Sequence, residues 1–188
     1  VQKVNESISI KNFSFSQVLG SDIGSFDGSS YSIPGLYTKE GFDKVIVAQG
    51  RALVADVLKN NWILGSKVDF TQTKINDIYA QVLSYYFKDY KKYWLAALNS
   101  LNVPVKTTVA GLSNQLETFS SADSPILQVM RSLKQNTDIY TPAEVLRKKV
   151  QKDGALLGRV AKIASKNTLD VANKVMPNTS VKNVRNFF

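Results

Sequence analysis

Between Thr71 and Leu101 apolar residues recur at three- and four-residue steps: Ile75, Ile78, Tyr79, Val82, Tyr86, Tyr90, Tyr93, Trp94, Ala97, Leu98 and Leu101. That period puts all of them on one side of a helix and nowhere else. A helix of this length would run roughly 45 Å at 1.5 Å per residue. Asn102 and Pro104 stop it.

The flanking segments carry the same period. Thr38-Lys39-Glu40-Gly41 leads into Phe42, Val45, Ile46, Leu53, Val54, Val57 and Leu58, one apolar stripe that ends at Asn60-Asn61 and Gly65. Gly50 lies inside it and costs about 1 kcal/mol relative to alanine unless a neighbouring helix packs closely there. Val105, Val109, Leu112, Leu116 and Phe119 predict a further helix ending at Ser120-Ser121. Ser124-Pro125 writes a helix start, with a capping hydroxyl before a proline at the first helical position; Leu127, Met130 and Leu133 follow. Thr141-Pro142-Ala143-Glu144 is a capping box, in which the Thr oxygen accepts from a first-turn N–H and the Glu reaches back to the Thr N–H. Apolar residues continue from there to Val175, with Gly154 and Gly158 as kinks and Pro177-Asn178 as the stop. Thr179 to Phe188 reads as a connector into a further segment.

Residues 1–37 read differently. Ile8 and Ile10, then Phe13 and Phe15, alternate with polar residues, which predicts short half-buried strands. Gly20 to Ser32 is rich in Gly, Ser and Asp, and Pro34-Gly35 is a turn. The fold class expected is mainly α. It is an antiparallel helical domain with a short non-helical, β-like N-terminal segment and a long C-terminal basic helix. Its parts are an extended segment over 1–37, a helical core over 38–140, and a basic helical extension and connector over 141–188.

Charge is unevenly placed. The net charge is +9. Residues 144–188 hold ten basic side chains against three acids, giving +7 and leaving +2 for the rest. Arg147, Lys148, Lys149 and Lys152 form its densest cluster. Such a field attracts anionic lipid, nucleic acid or an acidic partner, although a solvated helix face is the simpler reading. No window of roughly 18 uninterrupted apolar residues exists to span a bilayer. The chain starts at Val1 with no signal-peptide pattern, as an excised fragment or a processed product would.

Most catalytic machinery is missing from the composition. With no cysteine and no histidine, thiolate zinc sites, iron–sulfur clusters, Ser-His-Asp triads and imidazole acid–base work are excluded. Gly20, Gly24 and Gly28 are evenly spaced, but they sit in a Ser/Asp loop and not between a strand and a helix. Asp22, Ser25, Asp27 and Ser29 lack the spacing of a calcium loop. Asp69, Asp77 and Asp89 beside aromatic residues echo a sugar site only weakly. The block Tyr85 to Trp94 interleaves aromatics with Lys88, Lys91 and Lys92, a base-stacking composition. Yet Tyr86, Tyr90 and Trp94 share one helix face, which favours core packing. No catalytic, cofactor or metal residue is assigned, and no enzyme is expected.

Several stretches together resemble one family. Ile33-Pro34-Gly35-Leu36-Tyr37-Thr38-Lys39-Glu40-Gly41-Phe42 is similar to its V-P-G-L-[FY]-T-x-x-G-[FY] stretch, and Trp62-Ile63-Leu64-Gly65 to its W-V-L-G. Tyr86, Asp89, Tyr90 and Trp94 fit Y-x-x-D-Y-x-x-x-W, Leu98 and Leu101 fit L-x-x-L, Ser124-Pro125-Ile126-Leu127 fits its S-P-L helix start, and Lys134 to Thr137 is similar to the end of that helix. In order across residues 31–137, these resemble the IcmF/TssM family of inner-membrane proteins of type VI and Dot/Icm type IVB secretion systems. The resemblance implies a piece of the large periplasmic part, a scaffold that helps link the inner membrane to an outer-membrane lipoprotein. A DotU/TssL-type partner binds elsewhere in such proteins. Lipoprotein contact belongs to a strand-rich end beyond this stretch. The family's nucleotide-binding motifs are absent here, and no nucleic acid partner is expected. The motif residues have structural roles on their own chemistry: Pro34-Gly35 turns the chain, Trp62 and Leu64 cover a helix end with Gly65 reversing the chain, and Asp89 receives a Tyr hydroxyl or caps backbone.

Overall fold

The computed structural model describes residues 10–59, 71–141, 144 and 178–188. Six helices organise them: α1 (Ser16–Leu19), α2 (Gly50–Lys59), α3 (Gln72–Ser100), α4 (Val109–Ser120), α5 (Pro125–Thr137) and α6 (Asn178–Arg185). Among the described residues there is no strand, only two isolated antiparallel bridges, Phe13 with Ile33 and Asp27 with Asn102. The chain is thus mainly helical, as its periodicity predicts. It divides into two compact units. One is Val1–Gly41, Asp89–Asp138 and Phe188; the other is Phe42–Lys88 and Ile139–Phe187. The stripe on α3 serves both, its first part in the second unit and its last part in the first.

In the first unit the alternation at Phe13 and Phe15 does produce extended pairing. Phe13 and Ile33 exchange backbone hydrogen bonds of 2.9 and 2.8 Å. The pairing stops there, and the chain turns helical through α1 and a 3-10 helix over Gly20–Ser25. The expectation of strands across residues 1–37 is corrected to that extent. One bridge suffices because Phe15 is already buried, packed edge-on against Trp94 with ring centroids 6.1 Å apart. Ile8 lies outside the described residues. Asn102 ends α3 as predicted and pairs its backbone with Asp27 in the process. α5 begins as written, with Ser124 accepting from the Leu127 N–H and Pro125 at the first helical position.

In the second unit the stripe expected over residues 38–60 is not one helix. After a helical turn at Lys39–Gly41, Phe42–Val47 forms a π-helix, and α2 starts at Gly50. Phe42, Val45 and Ile46 are buried, but Leu53 and Val57 are exposed. The wider π turn inserts an extra residue, which rotates all later positions by about 100°. Leu53 and Val57 therefore turn outward, while Val54 and Leu58 stay half-buried on the side of Gly50. α2 makes its close contact through Gly50, where a Cβ would come within 2.8 Å of the Tyr79 ring. Alanine would not fit, which accounts for a glycine inside a helix. The Tyr79 hydroxyl donates to the Ile46 carbonyl at 2.7 Å, and burial pushes that phenol up to about 12.

The Thr141 capping box forms in full. The Thr141 N–H donates to Glu144 Oε2 at 2.9 Å and the Glu144 N–H donates to Thr141 Oγ1 at 3.2 Å. The last residues are not a bare connector. α6 buries Val181 and Val184 completely, and its Arg185 donates to Glu144 Oε1 at 3.0 Å and to the Ile139 carbonyl at 3.2 Å. The guanidinium also lies over the Tyr140 ring, 4.5 Å from its centroid. The remainder of the predicted basic helix lies outside the described residues, apart from Glu144. Among the described residues no helix is long and apolar enough to cross a membrane.

Candidate functional site

The motif residues of the first unit converge on Tyr37. Pro34 holds extended backbone and Gly35–Tyr37 forms a single 3-10 turn. Thr38 closes it, its hydroxyl donating to the Gly35 carbonyl at 2.7 Å and accepting from the Gly41 N–H at 3.1 Å. The glycines are steric requirements of this turn. A Cβ on Gly35 would lie 2.6 Å from the Lys11 carbonyl oxygen, and one on Gly41 would collide with the Gly35 carbonyl oxygen. Asn12 fixes the other side by accepting from the Gly35 N–H at 3.0 Å.

α3 presents Asp89, Tyr90, Tyr93 and Trp94 to this turn. The Trp94 indole N–H donates to the Tyr37 carbonyl at 2.8 Å, and Trp94 is fully buried. The Tyr37 ring stacks on Tyr93 at 4.7 Å and meets Tyr90 edge-on at 6.4 Å. Its hydroxyl donates to Asp89 Oδ2 at 3.4 Å. Burial, the Asp89 charge, Tyr93 and that hydrogen bond push the Tyr37 phenol up to about 12, so it stays a donor at any physiological pH. The Tyr90 hydroxyl donates to the Asn136 carbonyl at 2.6 Å near the end of α5. Asn136 Oδ1 accepts from the Lys39 N–H at 3.3 Å, and Lys39 Nζ donates to the Asp138 carbonyl at 3.0 Å. A lysine there meets the negative end of the α5 dipole.

Three segments are therefore tied together at residues 34–41, 89–94 and 136–138. Their polar groups face backbone carbonyls and N–H groups. Chemically this is a clamp. The carboxylate of Asp89 accepts from a phenol that stays protonated near neutrality. Among the described residues no cluster of three or more acidic, His or Cys side chains exists to hold a metal. An open cleft of about 340 Å³ lies beside α4, walled by Asn114, Gln115, Thr118 and Phe119. Lys106 also lines it.

Leu36 is buried with Tyr37 and Thr38. Ser124 and Pro125 cap α5. Phe42 and Tyr86 belong to the second unit, where their rings stack at 6.3 Å beside Phe87. Trp62, Leu64 and Gly65 lie outside the described residues, as do Arg147, Lys148, Lys149 and Lys152. Sequence reasoning gave no site role to Asn12, Asn136 and Arg185, and read Lys39 only as part of a motif and Tyr93 only as part of the apolar stripe. Asn136 stands in the stretch Lys134 to Thr137 that resembles the end of a family helix, the one signal that pointed near it. The base-stacking reading of the aromatic block meets a buried Tyr86, Phe87, Tyr90 and Trp94; Tyr85 is the exposed ring among them.

Residues 2–138 match the IcmF-related family, described as intracellular multiplication and human macrophage-killing. No curated protein and no solved structure gives a significant match. The match reaches back over the N-terminal residues that carry no recognisable motif. It ends at Asp138, where the α5 segment of the first unit also ends. The turn, the aromatic side of α3 and the α5 start all fall within it, and the chain belongs to the IcmF-related family.

Proposed function

We propose that this chain is a non-enzymatic structural module of a secretion-system envelope complex, the periplasmic portion of an inner-membrane protein that helps connect inner-membrane to outer-membrane components. As an IcmF-related protein it is associated with a secretion system. The observation that carries the scaffold reading is the clamp itself. Tyr37, Tyr90 and Trp94 are buried, and their polar groups hold Asp89 and two backbone carbonyls. Residues that a reactive site would leave open are here spent on rigidity, which is what a load-transmitting element requires.

Two measurements on the protein in intact cells test it. Lysine cross-linking with mass spectrometry is expected to join exposed lysines such as Lys92 and Lys106 to other subunits of the secretion complex. Labelling by a membrane-impermeant maleimide is expected at a cysteine placed at Val105, which is 88% exposed. Links to no secretion subunit, with lipid or nucleic acid recovered on residues 144–188 instead, would favour the basic-module reading. Protection of the Val105→Cys thiol until the inner membrane is opened would overturn the periplasmic placement.

A further inference from the structure

The cleft beside α4 lies wholly within the first unit, and two glycines shape it. A Cβ on Gly24 would meet nothing within 4 Å, so the cleft is open above that residue. A Cβ on Gly111 would come within 2.9 Å of Thr108 Oγ1 and 3.4 Å of Lys106 Cβ. The bare first turn of α4 thus makes room for the stem of Lys106 on the cleft's lining. α4 is also seated by the unexpected side. Val109 and Leu116 are 86% and 66% exposed, whereas Gly111, Gln115 and Thr118 are half-buried along the cleft. An amphipathic helix ordinarily turns its apolar stripe inward.

The polar groups of that side are only partly used. Gln115 Nε2 donates to the Pro104 carbonyl at 3.0 Å, and Thr118 Oγ1 donates to the Asn114 carbonyl at 2.9 Å. Both side chains are fixed by these bonds. Gln115 Oε1, the Asn114 carboxamide and the Lys106 ammonium have no partner among the described residues.

We propose that this cleft receives the C-terminal end of a partner polypeptide whose last residue is apolar. Lys106 pairs with the terminal carboxylate. Asn114 and Gln115 Oε1 take the last peptide group, and Phe119 gives the last side chain an apolar wall. The Phe119 ring is itself held by Phe26, edge-on at 5.6 Å. Charge and hydrogen-bond chemistry select this occupant. Among the described lining residues Lys106 carries the charge, which calls for a single anion. A carboxamide matches a peptide group, donor to acceptor and acceptor to donor. The lining suits sugar or phosphate less well. Among its described residues no carboxylate accepts from hydroxyls, and no arginine grips phosphate with two bonds. The Gly111 N–H already donates to Thr108 Oγ1 at 3.1 Å and offers an anion nothing. A volume of about 340 Å³ is at the small end of ligand clefts and suits a chain end better than a strand laid across. Such a site does not depend on which compartment the chain occupies.

Amide NMR titration of the 188-residue chain with acetyl-alanyl-leucine tests the proposal. Saturable shifts are expected at Gly24, Ser25, Gly111 and Asn114 to Phe119. The same peptide as its C-terminal amide should bind about tenfold more weakly, the loss of one charge-assisted contact. Acetyl-aspartyl-leucine amide, which moves the carboxylate to a side chain, should fall with the amide. Lys106→Met keeps the stem and should erase the preference for the free acid. Gly24→Leu fills the cleft from a position where the fold has room, and should abolish the shifts with an unchanged thermal midpoint. The proposal is overturned if no shifts gather at these residues, if acid and amide bind alike, or if Gly24→Leu binds as the native chain does. It is overturned equally if N-acetylglucosamine or inorganic phosphate moves these amides and the peptide does not. Binding of the aspartyl amide as tightly as the free acid would also overturn it, by making an internal acidic side chain the source of the carboxylate.

Discussion

The indole nitrogen of Trp94 donates its proton to the main-chain oxygen of Tyr37 across 2.8 Å, between residues 57 apart in sequence. That bond fastens the Pro34–Thr38 turn to the long helix α3 inside a region where no water competes. Tyr37 and Trp94 are 5% and 0% exposed.

Two substitutions separate the ring from its proton. Trp94→Ala removes a fully buried aromatic and should destabilise the chain by about 3–5 kcal/mol. Trp94→Phe keeps most of the apolar contact and leaves the Tyr37 carbonyl without its donor, at a cost of about 1–3 kcal/mol. Urea unfolding resolves the order, provided that the slope is unchanged between variants. Equal losses would mean that the hydrogen bond contributes nothing.

The turn gives a steric test. Gly41→Ala drives a methyl group into the Gly35 carbonyl and should lower stability by about 1–3 kcal/mol through forced backbone movement. Gly24→Ala, where a Cβ meets nothing within 4 Å, should leave stability unchanged or raise it by about 0.4–1 kcal/mol. Thermal melts of the two variants side by side are sufficient.

At alkaline pH the chain should weaken through two buried phenols. Tyr37 and Tyr79 are both pushed up to about 12 from an ordinary value of 10, by burial in each case and in Tyr37 also by Asp89. A group whose folded pKa is raised stabilises the fold fully below its unfolded value, and that contribution is lost as pH rises through the folded one. Stability should therefore fall between about pH 10 and pH 12, and Tyr37→Phe with Tyr79→Phe should flatten the fall. Denaturant midpoints across that range provide the check.

At acid pH the capping box should be the sensitive point. Burial pushes the Glu144 carboxyl up, but the hydrogen bonds from Arg185 and the Thr141 N–H, with the Arg185 charge, outweigh it and hold the group below its usual value. A depressed carboxyl stabilises above its unfolded pKa, and the contribution is lost as pH falls through the folded one. Amide exchange at Val181 and Val184 should then accelerate below about pH 4.5, the group's ordinary value. Arg185→Ala should reproduce that loosening at neutral pH. Thr141→Ala, which removes a cap, should cost about 0.5–2 kcal/mol.

The parts of this structure that were legible in the sequence are those set by local rules. α3 announced itself by period, α5 by Ser124-Pro125, and the box by Thr141 and Glu144. Gly50 announced a close neighbour without naming Tyr79. What stayed hidden depends on departures from the regular period or on contacts far along the chain. A π turn at Phe42–Val47 has no residue signature, yet it rotates Leu53 and Val57 out of the core. The apolar row of α4 was legible as a row. Periodicity tells which side of a helix is apolar, not which side is covered, so Val109 and Leu116 gave no warning of their exposure. The clamp was half legible. Tyr37, Asp89, Tyr90 and Trp94 were singled out, but Asn136 and Lys39 are ordinary surface types whose importance comes from position.

Lys39 reaches Asn136 and the Asp138 carbonyl across 97 and 99 residues of chain. Closing so long a loop is entropically expensive at first and rewards the chain only when it is complete. A polypeptide that arrives N-terminus first thus carries an unanswered Lys39 until the end of α5 has appeared. Any truncation short of Asn136 leaves Tyr90 and Lys39 without their acceptors at that end. The clamp in this sense is a timekeeper: maturation of the turn at Pro34 waits on the last helix of its unit, however early the turn itself was made.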